Sequence, residues 1–148
     1  MPEILEVTDE TPSRALTLAD LAVGQGVVQR VRFDSDMLDH FRCVARDRAP
    51  VHYDAATASA AGFDRPIIQG FAVASRFSRL IGMYLPGERA LLERVELAFR
   101  RPSFADEELV YSATIERMTR ALRTVRLGLR VAGGDGDHVT GSCHCLVR

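Results

Sequence analysis

The residues best able to do chemistry lie in one short run, Asp47-Arg48-Ala49-Pro50-Val51-His52. A carboxylate and an imidazole five positions apart, on a loop stiffened by proline, can converge on a single water molecule. Adding water across an activated double bond needs a base to take a proton from the water and an acid to return one to the neighbouring carbon. An Asp/His pair can share these tasks, because imidazole titrates near neutral pH while a carboxylate accepts hydrogen bonds and orients the water. The reverse elimination uses the same two groups. In isolation, an Asp and a His at this spacing are more often a capping carboxylate beside an exposed histidine.

The surrounding pattern says how such a loop would be held. Gly24 to Phe33 alternates as a strand, with Val27, Val31 and Phe33 towards one face. Asp34 or Ser35 then caps a helix through Met37, Leu38, Phe41, Val44 and Ala45 that ends near Asp47. Pro50 disfavours helical geometry at Ala49, so Asp47 to Tyr53 is expected as a bent, extended loop. Asp54 caps a short Ala-rich helix closed by Gly62, and Pro66 interrupts again. From Gly70 to Tyr84 the apolar residues cover most of a helical circumference, broken only by Arg76 and Arg79, which marks an enclosed central helix ended by the LPGE turn.

The period then becomes two. Val95, Leu97 and Phe99 alternate with charged residues; Leu109, Tyr111, Ala113 and Ile115 form a second such set, and Val125, Leu127, Leu129 and Val131 a third. The Gly133 to Asp137 turn returns the chain into a last strand, His138 to Val147. One long apolar helix and an antiparallel sheet that curves round it make an α+β hotdog architecture. Residues 1–148 are expected as a single domain, with 1–15 polar enough to form a flexible arm. Edge strands left by such a sheet favour pairing with a second copy, so a homodimer is expected.

Composition excludes more than it selects. The 47% hydrophobic and 26% charged content is that of an ordinary globular domain, and the net charge of −1 leaves no general footprint for nucleic acid. No stretch approaches the roughly 20 apolar residues of a membrane span, and the N-terminus lacks a signal-like pattern, so a cytoplasmic protein is expected. Three cysteines make no disulfide framework. Cys143, His144, Cys145 and His138 do not read as a metal site, since His144 points away from both cysteines in a strand. Arg94, Arg100, Arg101, Arg117, Arg120 and Arg123 read equally as a solvated face or as an attraction for CoA phosphates or an acidic carrier protein.

The run from Asp47 to Gly82 resembles the MaoC-like (R)-specific enoyl-CoA hydratases, whose signature is D-x-N-P-x-H, a short helix, and R-P-I-x-H-G-x-x-x-A-S. The resemblance implies reversible hydration of trans-2-enoyl thioesters, or dehydration of (R)-3-hydroxyacyl thioesters, carried by CoA or acyl carrier protein and needing no metal or cofactor. It assigns Asp47 and His52 to the water, Ser78 to support of the aspartate with Ser75 a close competitor, and the Gly70 N–H to the thioester carbonyl. Pro50, Gln69, Phe71 and Ser75 become substrate-binding candidates. The role of Gly70 also has an independent basis, because the first N–H groups of a helix lack partners and sit at the positive end of its dipole. Two positions depart from the signature: Ala49 stands for its asparagine and Gln69 for its histidine. Two alternatives accompany this reading, a thioesterase on the same fold and a non-catalytic acyl-binding or heterodimer partner subunit.

Overall fold

The computed structural model describes residues 1–148. Six strands form one sheet in the order β1-β2-β4-β5-β6-β3. They are β1 (Ile4–Val7), β2 (Gly26–Arg32), β3 (Ala90–Phe99), β4 (Glu108–Thr119), β5 (Thr124–Gly133) and β6 (Gly136–Val147). All neighbours are antiparallel except β1, which lies parallel to β2. Alternation places Leu109, Tyr111, Ala113 and Ile115 of β4 and Val125, Leu127, Leu129 and Val131 of β5 on the buried face, as their period requires.

Three helices precede the long strands: α1 (Ser35–Ala45), α2 (Ala55–Ala60) and α3 (Gly70–Arg79). Helix α3 continues directly into a π-helical turn, Leu80–Tyr84, so the expected 70–84 helix exists but loosens over its last five residues. Its Ala72, Val73, Phe77, Leu80, Ile81 and Tyr84 enter the core. The Tyr111 hydroxyl donates to the Val73 carbonyl at 2.8 Å, and its ring meets Phe77 edge-on at 5.4 Å between centroids. These contacts fix the start of α3 against the middle of the sheet, and with it whatever lies at the helix N-terminus. No helix is long and apolar enough to cross a membrane.

The first residues differ from a frayed arm. Ile4–Val7 is a strand, and the chain beyond it is bonded to α3. The Asp9 carboxylate accepts from Arg76 at 2.6 Å and Gln29 at 2.8 Å, while Arg79 donates to the Asp9 carbonyl at 2.7 Å. The physical reason lies in the helix: the Arg76 and Arg79 side chains are only 18% and 23% exposed, so their charges need partners, and the arm supplies them. Burial alone opposes ionisation of Asp9, but the hydrogen bonds and charges of Arg76, Gln29 and Arg79 outweigh it and hold the carboxyl below its usual range.

Strand β3 differs in the opposite sense. It pairs only with β6, and its apolar Leu91, Leu92, Val95 and Phe99 are 39–51% exposed. Its alternation is real, yet within this chain only Leu97 of that face packs against the core.

Candidate active site

Helix α1 is capped by the Asp34 carboxylate, which accepts from the Met37 N–H at 2.9 Å. It ends when Arg46 adopts the left-handed conformation, φ 52°, which reverses the chain and presents Asp47. Asp47 Oδ1 accepts from the Ala49 N–H at 2.9 Å, a local turn that restricts the carboxylate. Pro50 then begins a 3-10 turn, Pro50–His52, tighter than the extended loop expected from proline alone. Pro50 itself is exposed at the head of that turn.

His52 is held by its other face. Its Nδ1 lies 2.8 Å from the Ile67 carbonyl, which can only accept, so Nδ1 carries the proton and Nε2 of the neutral ring keeps its lone pair. Nε2 stands 3.7 Å from Asp47 Oδ2. That is too long for a direct hydrogen bond and suits two groups that grip one small molecule between them. His52 also lines a cavity of about 320 Å³ with Phe63, Gly70, Val73, Phe99 and Val139. The structure therefore brings Asp47 beside His52, and His52 into the same cavity as the opening residue of α3. A Cβ at Gly70 would lie 3.1 Å from the Phe99 ring, so glycine keeps the helix end open to approach.

Other candidates fall differently. Ser78 is exposed on α3 and makes no side-chain hydrogen bond within the chain; the contact to Asp47 that its assigned role implies is absent from the single subunit, where Ala49 occupies Oδ1. Ser75 donates back to the Ala72 carbonyl at 2.6 Å. Phe71 is 81% exposed and points away from the core, contrary to the near-complete enclosure of α3 expected from its composition. A helix with one flank uncovered by its own chain exposes that position, however apolar the residue.

Gln69 and Tyr53 do more than their sequence context shows. The Gln69 side chain, 5% exposed, donates to the Tyr53 hydroxyl, which donates to the Asp47 backbone carbonyl at 2.6 Å. The Arg42 guanidinium stacks 3.7 Å over the Tyr53 ring. A buried polar strut thus connects the residue before α3 to the aspartate loop. Its only sequence signal is the polar Gln69 at the end of an apolar segment. Sequence reasoning gave Ser103 no role and weighed His138 only as a metal ligand: Ser103 lines the His52 cavity, and its hydroxyl lies 2.8 Å from His138 Nδ1. Cys143 and Cys145 are core residues of β6.

The model of the MaoC-like domain matches residues 11–132. The chain belongs to the MaoC-like domain family. It is 31% identical over 121 residues to an (R)-specific enoyl-CoA hydratase of Aeromonas caviae, spanning 80% of this chain and 90% of that protein. A mitochondrial 3-hydroxyacyl-[acyl-carrier-protein] dehydratase of Arabidopsis thaliana is 31% identical over 61% of this chain and 53% of its own length. Among solved structures, the (R)-hydratase from A. caviae involved in PHA biosynthesis superposes with a TM-score of 0.81 at 29% identity, covering 86% of this chain and 98% of that one. The helix wrapped by a curved sheet is thus the hotdog fold of that hydratase.

Proposed function

We propose that this MaoC-like protein reversibly hydrates trans-2-enoyl thioesters to (R)-3-hydroxyacyl thioesters, with Asp47 and His52 as its acid-base pair. The observation that carries the reading is the orientation of His52: its Nδ1–H is committed to Ile67, so the basic Nε2 faces Asp47 at 3.7 Å. A water between them donates one hydrogen to the Asp47 carboxylate and the other to Nε2. As its oxygen bonds to the β-carbon, Nε2 takes the proton, and the double-bond electrons move through the α-carbon to the thioester oxygen. The unpartnered N–H at the start of α3 stabilises that oxygen. Nε2 then returns its proton to the α-carbon, and dehydration runs the same steps backwards. Gln69 and Tyr53 contribute by holding the Asp47 backbone, which gives Gln69 a positioning role where the signature has histidine.

The exposed apolar strand β3 supports a homodimer built by edge-to-edge pairing, in which the partner covers Val95 and Phe99. CoA and carrier-protein thioesters both present the same reacting atoms, and a cytoplasmic setting agrees with three free thiols. The deciding measurement is loss of enoyl-thioester absorbance with crotonyl-CoA and a longer trans-2-enoyl-CoA, for wild type and for folded Asp47→Asn and His52→Ala. Activity in wild type that falls at least about a thousandfold in each variant is expected for groups acting directly on the transferred proton. A wild type inert on CoA and carrier-protein thioesters alike would overturn the hydratase reading in favour of a binding subunit.

A further inference from the structure

His138 is an imidazole on a hairpin strand, yet it is only 1% exposed. The sheet register explains how it turns inward: Val131 pairs with Val139 and Ala132 with Asp137, so His138 is the extra residue of a bulge. Both ring nitrogens are engaged. Nε2 lies 2.7 Å from Asp135 Oδ1 in the turn before β6, and Nδ1 lies 2.8 Å from Ser103 Oγ. The hydrogen bond from His138 holds the Asp135 carboxyl below its usual range. An ionised carboxylate only accepts, so Nε2 carries the ring proton, Nδ1 keeps the lone pair, and the Ser103 hydroxyl donates to it. Gly133 is required beside the ring, since a Cβ there would press into it.

The order of these groups is hydroxyl, neutral imidazole, carboxylate, the arrangement that activates a serine on many unrelated folds. Its location is as informative as its geometry. Ser103 is 4% exposed, and its side of the chain borders the same cavity of about 320 Å³ as His52 and Gly70. Its backbone carbonyl accepts from the Ile68 N–H at 2.8 Å, whereas the preceding Ile67 carbonyl anchors His52. Ser103 and His52 therefore flank one short segment that runs straight into the N-terminus of α3.

We propose that Ser103 is a second reactive centre of this cavity, a nucleophile that takes the acyl group of a bound thioester and gives the chain a thioester-hydrolysing activity. The hydroxyl proton passes to His138 Nδ1 as Oγ bonds to the thioester carbonyl carbon, and the carbonyl oxygen gathers its charge beside the first N–H of α3. The C–S bond breaks, and the leaving thiolate takes the proton from Nδ1. Water then attacks the acyl-serine, gives one proton to Nδ1, and releases the carboxylic acid as Oγ recovers that proton. The sum is thioester plus water giving acid plus thiol. This inference rests on thioester binding in the cavity, as the proposed function does, and not on attack at the β-carbon.

The test uses octanoyl-CoA, which has no double bond to hydrate, so that free thiol reports only attack at the carbonyl. Thiol release is followed with a chromogenic thiol reagent through several turnovers. Intact-mass and peptide mapping then locate the acyl group. Release above the protein-free rate, an octanoyl adduct on Ser103, and at least a tenfold loss of release in Ser103→Ala and His138→Gln are expected. Ser103→Cys should remain acylated at the same position, which keeps the test informative should His138→Gln fail to fold. Absence of both turnover and adduct in wild type would refute the proposal. So would release that persists in Ser103→Ala with an unchanged Tm. Enoyl-CoA hydration measured on the same preparation separates the two ideas: hydration without thiol release removes only this one, while loss of both points to a chain that does not process thioesters.

Discussion

Replacing Tyr53 with phenylalanine removes one oxygen atom from the strut behind the aspartate loop, and its consequences can be worked out from the contacts. The lost hydroxyl donates to the Asp47 carbonyl at 2.6 Å and accepts from the Gln69 amide, which is 5% exposed and has no other hydrogen bond. Leaving that buried donor unpaired costs about 1–3 kcal/mol; taking about 2 kcal/mol, Tm should fall by roughly 4–8 °C in a domain of this size. The Asp47 loop also loses a restraint, and displacement of a reacting group by about 1 Å can cost a hundredfold, so kcat/KM for an enoyl-CoA should fall by roughly tenfold to a hundredfold. The double variant Tyr53→Phe/Gln69→Leu separates the two effects. Replacing both partners by apolar groups removes the orphaned donor, so most of the Tm should return, whereas Asp47 is still unsupported and activity should not. Scanning calorimetry and the enoyl absorbance assay on the four proteins complete the cycle. If Tyr53→Phe kept both Tm within about 1 °C and full kcat/KM, the strut would be an incidental contact and the argument for Gln69 would fall with it.

Asp9 should couple stability to acid pH. Its carboxyl sits below the usual range in the folded protein, so its contribution is present above the unfolded carboxylate value of about 3.9 and is lost as pH falls through the lower folded value. Asp9→Asn should therefore be less stable than wild type at pH 7, by about 1 kcal/mol once solvent screening of the largely exposed Asp9 carboxylate is allowed for, and the gap should shrink towards pH 2 in urea melts. A constant gap across that range would remove Asp9 as the cause. Val95→Lys places a charge in the middle of the exposed β3 edge, and sedimentation should show a dimer for wild type and a monomer for the variant. A monomeric wild type at micromolar concentration would sink the edge-pairing argument.

Much of the architecture was legible because burial writes a period into the chain. The alternation of Leu109 to Ile115 and Val125 to Val131, the apolar circumference of Gly70 to Tyr84, and the Asp34 and Asp54 caps are local consequences of side chains that must face one way. The nearness of Asp47 and His52 was legible for a related reason: five residues with a proline between them constrain where two side chains can meet. Strand β1 was not legible, because four residues are too few to show a period, and Ile4–Val7 is placed by parallel pairing with β2 and by the bonds of Asp9, just beyond it, to Arg76 and Arg79 some seventy residues on.

The remaining features belong to tertiary structure alone. The Asp47–His52 distance, the protonated nitrogen of His52, and the Gln69–Tyr53–Asp47 strut depend on segments brought together by the packing of α3 against the sheet. The hydrogen-bonded chain of Ser103, His138 and Asp135 depends on a bulge that breaks the period of β6 and turns a histidine inward where strict alternation would send it out. Spacing along one chain is enough to show which faces are apolar and which loop carries Asp47 and His52. Which polar atoms meet was decided only by the folded sheet and helix, because a hydrogen bond between distant segments depends on positions to within tenths of an ångström that no local pattern encodes.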